Sequence, residues 1–292
     1  SETLRREERW RGIDQLLFLN RVNEDLGSDS LKKIGDILET IRTKVLGSQM
    51  ISLNITASGS EISKVKTYLE GKLVNFPKGI ISSADSNQRI EVEFKKQEAL
   101  IIPAAVSYLA QAFRSSFIES EEYGSELLLS HILRTDFLWE NVRMKGGAYG
   151  ASASANGMEG IFSFSSYRDP NIDKTISAFK EGLQLISQNG IKDDIIEKAK
   201  ITIVGKDLRP QSPGEKSIIG FIRKLYNISD GMRKTRRDSI MNADAVSIQT
   251  AAERLLEELA NSSLVVMAGR EKLESVSKSL NNIMVDSINL PL

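Results

Sequence analysis

Residues 146–171 read GGAYGASASANGMEGIFSFSSYRDPN, and no other stretch of the chain constrains its fold so tightly. The five residues from Asn156 to Gly160 form an Asn-Gly-led turn between two extended runs, which predicts a β-hairpin. Pro170 then opens a helix whose apolar positions, Ile172, Ile176, Phe179, Leu183 and Ile186, recur at helical spacing until Gly190. The first arm of the hairpin raises a question. From Gly146 to Ser154 it holds only glycine, alanine, serine and one tyrosine, between a charged helix and an aromatic strand. A packed strand wants bulk. Either another part of the protein fills that space or something outside the chain does.

The remaining pattern sorts into strands and helices. Residues 13 to 46 carry Ile13, Leu16, Leu17, Leu31, Ile34, Leu38, Ile41 and Val45 at helical spacing, with Gly47 as the stop. MISLNITA (50–57) alternates and predicts a half-buried strand, and Ser60 is the expected N-cap of a helix over 61–73. The polar run SSADSNQR (82–89) reads as a linker. Two extended segments follow, IEVEF and ALIIPAAVSYLAQAF, the second broken by Pro103. Helices are expected from Ser125, around Leu138–Val142, from Asp194 to about Lys206, and over 216–226, 231–240 and 244–260. SLVVMAG (263–269) is a buried strand before a last amphipathic helix with Leu273, Val276 and Leu280. The predicted class is α+β, a mostly antiparallel sheet with helices on one face. MISLNITASGSEISKVKTYL and SLVVMAGREKLESVSKSL share one order: apolar strand, small polar turn, amphipathic helix. The chain therefore reads as the end of one domain over 1–83 and a complete homologous domain over 84–292.

Composition narrows the chemistry. Lys plus Arg equals Asp plus Glu at 39 each, so no net field draws nucleic acid or anionic lipid, and nucleic acid and membrane are not expected partners. The basic run RKTRR (233–237) lacks interleaved aromatics and reads as a solvated helix face. No signal or membrane-spanning segment is evident. With no cysteine there is no thiol nucleophile and no cysteine-ligated metal. With one histidine, His131, a zinc site of two or three histidines cannot be built from this chain, and no metal ligand is assigned.

EALIIPAAVSYLAQA, LWENVRMKGGAYGASASANGMEGIFSFSSYRDPN and WRGIDQLLFL resemble the C-terminal half of the pitrilysin/insulin-degrading-enzyme-type zinc metallopeptidases, closest to the presequence-protease branch. The resemblance implies the following. Four homologous α+β domains form two halves that close around a peptide, and the first domain carries an H-x-x-E-H zinc motif. This chain has no such motif; around its histidine it reads SHILRT. It would be the non-metal half of a metalloendopeptidase, inactive alone, with zinc and the catalytic base supplied by the N-terminal half of the same polypeptide. Its location would be a bacterial cytoplasm or an organelle matrix. Arg143 and Tyr149 match the family's arginine and tyrosine that hold the substrate and stabilise the transition state opposite the metal. Gly146, Gly147, Ala148 and Gly150 would leave room for the peptide backbone, although glycines here also suit a hairpin and bulge.

Two other classes compete. A structural or assembly subunit could keep this fold without catalysis, but would have no need of both Arg143 and Tyr149. A ferredoxin-like nucleic-acid binder would need a basic stripe and stacking aromatics where these strands offer serine and alanine.

Overall fold

The computed structural model describes residues 10–47, 51–74, 76, 97–276 and 285–286. These divide into two compact bodies, one of residues 10–76 with 210–227 and one of 97–209 with 228–286. The expected boundary at 83/84, the linker 82–89, IEVEF and Leu280 lie outside the described residues.

The first body is helical. It holds α1 (Ile13–Glu24), α2 (Ser28–Val45) and α3 (Gly59–Leu73). The cap of α3 is Ser58, not Ser60, because the helix begins at Gly59. Residues 51–57, expected as a strand, pair with no strand among the described residues. Alternation marks which side chains would be buried, but only a neighbouring strand supplies the ladder.

The second body is α+β. Its strands are β1 (Gln97–Ile101) and β2 (Ser107–Arg114), which flank Pro103, then the hairpin β3 (Gly150–Asn156) and β4 (Ile161–Asp169). Between β2 and β3 lie α4 (Tyr123–Ile132) and two wide helical turns, Leu133–Phe137 and Trp139–Met144. After β4 come α5 (Ile172–Asn189) and α6 (Asp193–Leu208). The chain then passes through α7 (Pro213–Leu225), part of the first body. It continues with α8 (Asp230–Asn242), α9 (Ala245–Leu259), β5 (Ser263–Ala268), α10 (Arg270–Val276) and the two-residue β6 (Val285–Asp286).

The sheet runs β3-β4-β2-β5-β1-β6 and is antiparallel from β3 to β5, with β1 parallel to both β5 and β6. Its two faces differ completely. Phe113, Phe162, Phe164 and Ala153 point toward the helices and join Leu128, Leu129, Phe179, Leu183, Ile248 and Leu255 in one core. Phe164 stacks on Phe179 of α5 with centroids 4.9 Å apart. Burying each such ring contributes about 2–3 kcal/mol, so this face holds the domain together. The opposite face carries Ala110 and Ala112 of β2, Ser163 and Ser165 of β4, and Ser152 and Ser154 of β3, none of them buried. The alternation that buries the phenylalanines thus places the small residues outward. β3 is also an edge strand.

Candidate functional site

The hairpin begins where the second wide turn ends. Arg143 and Trp139 sit on that turn, and the Arg143 guanidinium carbon lies 3.9 Å from the centre of the Trp139 ring. Widened turns of this kind shift side chains off the regular helical register and concentrate at functional sites. The turn then closes on itself: the Gly147 N–H donates to the Arg143 carbonyl at 3.0 Å, and the Ala148 N–H donates to that of Val142 at 3.1 Å.

Two of the glycines have purely local reasons to be there. A Cβ on Gly146 would lie 2.5 Å from the Val142 carbonyl oxygen. Gly147 adopts φ +78°, which side-chain-bearing residues rarely take. Gly150 is different. A Cβ there would meet nothing closer than Tyr167 Cβ at 3.7 Å, an ordinary contact. Ala148 is buried, with its methyl in the core.

Tyr149 stands at the mouth of β3 and is 67% exposed. Its N–H donates to the Arg168 carbonyl at 3.4 Å, and no described residue bonds to its hydroxyl. Its ring meets the edge of Tyr167 at 5.9 Å between centroids, and Tyr167 in turn meets Tyr108 at 5.3 Å. This row of three tyrosines crosses β3, β4 and β2 at one end of the open face. It forms at a bulge, where the pairings Ser107 with Asp169 and Leu109 with Ser166 leave Tyr167 and Arg168 opposite Tyr108. Arg168 lies at φ +49°. Buried Asp169 ties the bulge down. Its carbonyl accepts from the Ser107 hydroxyl at 2.7 Å, and its Oδ1 accepts from the Asn171 N–H at 2.8 Å. Asn171, the residue that precedes α5, donates from its side chain to the Gly146 carbonyl at 2.6 Å. The loop bearing Arg143 and Tyr149 is thereby fastened to the end of β4.

Arg143, Gly146, Gly147, Ala148, Tyr149 and Gly150 thus fall in one structural unit. Tyr108, Trp139 and Asn171 were not found from sequence. The fourth-residue spacing of Trp139 and Arg143 was a usable signal, whereas Tyr108 depends on strand register. Chemically, the site offers a half-buried guanidinium and an exposed phenol as donors beside a strand with little side-chain bulk.

His131 sits on α4 with its Nδ1 3.2 Å from Arg134 Nη2. Burial, then the charges of Arg134 and Lys206, push its pKa below the usual 6.5, against a smaller upward pull from Asp136. A cation beside a lone imidazole is a poor setting for a dication, and no three His, Cys, Asp or Glu gather among the described residues. These residues do not fit zinc. The basic run on α8 is partly neutralised, Arg233 by Asp230 at 2.7 Å and Arg236 by Asp207 at 2.5 Å. Among the described residues no helix is long and apolar enough to cross a membrane.

Comparison with known proteins identifies the family of the second body. Residues 97–270 match the family model described as the PreP C-terminal domain. An uncharacterized protein of Borreliella burgdorferi is 29% identical over 94% of this chain and 28% of its own length. Presequence protease 1, chloroplastic/mitochondrial, of Arabidopsis thaliana is 25% identical over 94% of this chain and 25% of its own. The mitochondrial presequence protease of Saccharomyces cerevisiae is 27% identical over 89% of this chain and 27% of its own length. The chain therefore spans about a quarter of these relatives. The same fold occurs in a peptidase M16 inactive domain from Pseudomonas fluorescens, with TM-score 0.53, 17% identity, and coverage of 73% of this chain and 51% of that one. A protease from Helicobacter pylori has TM-score 0.53 and 15% identity, covering 73% of this chain and 53% of that one.

Proposed function

The chain belongs to the family of PreP C-terminal domains, and on that premise we propose that it is the substrate-binding half of a zinc-dependent metalloendopeptidase that degrades oligopeptides. Its partner is the N-terminal half of the same polypeptide, which holds the zinc and the catalytic base. Residues 1–83 are the end of the third peptidase-like domain and 84–292 the fourth. Its location is an organelle matrix or a bacterial cytoplasm.

One observation carries this reading: Arg143 and Tyr149 present donors that no described residue pairs with, on a loop held from three sides, next to an edge strand cleared of bulk. An extended peptide has backbone carbonyls that need such donors. The Tyr149 hydroxyl and the Arg143 guanidinium donate to the carbonyl near the scissile bond, and their hydrogen bonds strengthen as that oxygen gains negative charge. Neither residue competes for a metal as a carboxylate would. Gly150 keeps the approach open, Gly146 and Gly147 let the turn close, and Ala148 anchors it from the core side.

The test is kcat/KM of the full-length protein and its Tyr149→Phe variant on a quenched fluorescent peptide, with zinc content measured for both. The variant loses a donor that bonds to no described residue, so zinc content and folding stay constant while activity falls about 100-fold. Equal activity would make Tyr149 a surface tyrosine and remove the site assignment.

A further inference from the structure

Arg168 is the least expected residue of the hairpin. It is exposed, its backbone is left-handed at φ +49°, and it sits in the bulge opposite Tyr108. A residue with a side chain holds that conformation only when its surroundings impose it, and such positions cluster at ligand sites. Here the surroundings are explicit. The Arg168 carbonyl accepts from the Tyr149 N–H, and the next residue, buried Asp169, is held by Ser107 and Asn171. The guanidinium carbon lies 5.6 Å from the Tyr167 ring centre, and Tyr167 is itself held edge-on between Tyr108 and Tyr149. No carboxylate pairs with Arg168 among the described residues. The Asp169 carboxylate next to it is buried, with Oδ1 engaged at the entry to α5.

We infer that Arg168, with Tyr167 beneath it, is a carboxylate-binding subsite for the peptide held by Arg143 and Tyr149. A guanidinium resting on a ring leaves its planar fork of N–H donors facing outward, and a carboxylate matches that fork with two parallel bonds. A backbone carbonyl offers one oxygen and matches it less well. The carboxylate is either an Asp or Glu side chain or the C-terminus of the peptide. The row Tyr108–Tyr167–Tyr149, with Tyr167 and Tyr149 exposed, offers apolar ring surface to the stem that carries the carboxylate. The inference rests on the substrate-binding reading above and names the chemistry that this site selects.

The experiment measures dissociation constants on the full-length protein by fluorescence anisotropy, with metal chelated so that no peptide is cut. One labelled peptide sequence is prepared with Glu or Gln at each internal position in turn, and with its C-terminus free or amidated. Wild type binds one carboxylate form roughly tenfold tighter than its neutral counterpart, and the form that gains identifies the source. Arg168→Gly removes the guanidinium and installs the residue best suited to that φ, so the fold is kept while the preference shrinks to within about twofold. Arg168→Lys keeps the charge without the fork and falls between the two. A wild type that binds all forms alike, or a preference that survives Arg168→Gly, overturns the inference. Arg143→Gln separates the levels. If it leaves neutral-peptide affinity unchanged, the underlying reading fails and this inference with it; if it weakens neutral binding while no Arg168-dependent preference exists, only this inference falls.

Discussion

Alanine at Gly146 and at Gly150, introduced separately, distinguishes a glycine that the fold needs from one that the substrate needs. At Gly146 the new Cβ would sit 2.5 Å from the Val142 carbonyl oxygen, 3.0 Å from that of Asn141 and 3.1 Å from the Val142 carbonyl carbon. All three are backbone atoms, so no side chain can swing away. The Val142 carbonyl must move, and it accepts the Ala148 N–H that closes the turn. Losing that bond costs about 1–1.5 kcal/mol, and strain from overpacking adds about 1–2 kcal/mol, so Gly146→Ala destabilises by about 2–3.5 kcal/mol. At Gly150 the nearest atom is 3.7 Å away, and alanine also narrows the unfolded ensemble. Gly150→Ala therefore leaves stability unchanged or raises it by about 0.5 kcal/mol. Urea titrations followed by circular dichroism give both values, and peptide affinity is measured on the same samples. A Gly150→Ala protein that is fully stable but binds peptide more weakly supports substrate clearance. If Gly150→Ala destabilised as much as Gly146→Ala, or if Gly146→Ala were neutral, the steric reasoning would be refuted.

Two further outcomes follow from groups outside the site. Glu126 is fully buried on α4 and accepts from the Ser116 N–H at 2.9 Å, from the Ser116 hydroxyl at 3.1 Å and from Arg254 of α9. Glu126→Ala strands the Ser116 N–H, while the partly exposed Arg254 can turn to water, and the expected loss is about 2–3 kcal/mol by denaturant titration; Arg254→Ala, which leaves the buried carboxylate without its cation, costs at least as much. The depressed pKa of His131 makes the unfolded chain bind the proton first as pH drops, so this residue's contribution to stability is present above 6.5 and is lost as pH falls through the lower folded value. His131→Gln should flatten that part of the stability–pH curve, and an unchanged slope in the variant would assign it to other groups.

The sequence by itself was enough for every feature whose cause is local. The Asn-Gly-led turn and the Pro170 helix entry specify β3, β4 and α5 because their signals lie within a few residues of the bonds they produce. Helical periodicity likewise marked α6, α8 and α9, and composition alone removed thiol chemistry and a histidine zinc site. Features that depend on a distant partner had to wait for the tertiary structure. Residues 51–57 alternate as a strand should, yet pair with none among the described residues, because a ladder belongs to two segments. Tyr108 reaches Tyr167 only through the register of β2 on β4, and the bulge there turns Tyr167 and Arg168 outward together. Spacing along the chain names Arg143 and Tyr149 as candidates; which side chains surround them is set by strand pairing, which hydrogen-bonds residues that sequence order keeps far apart.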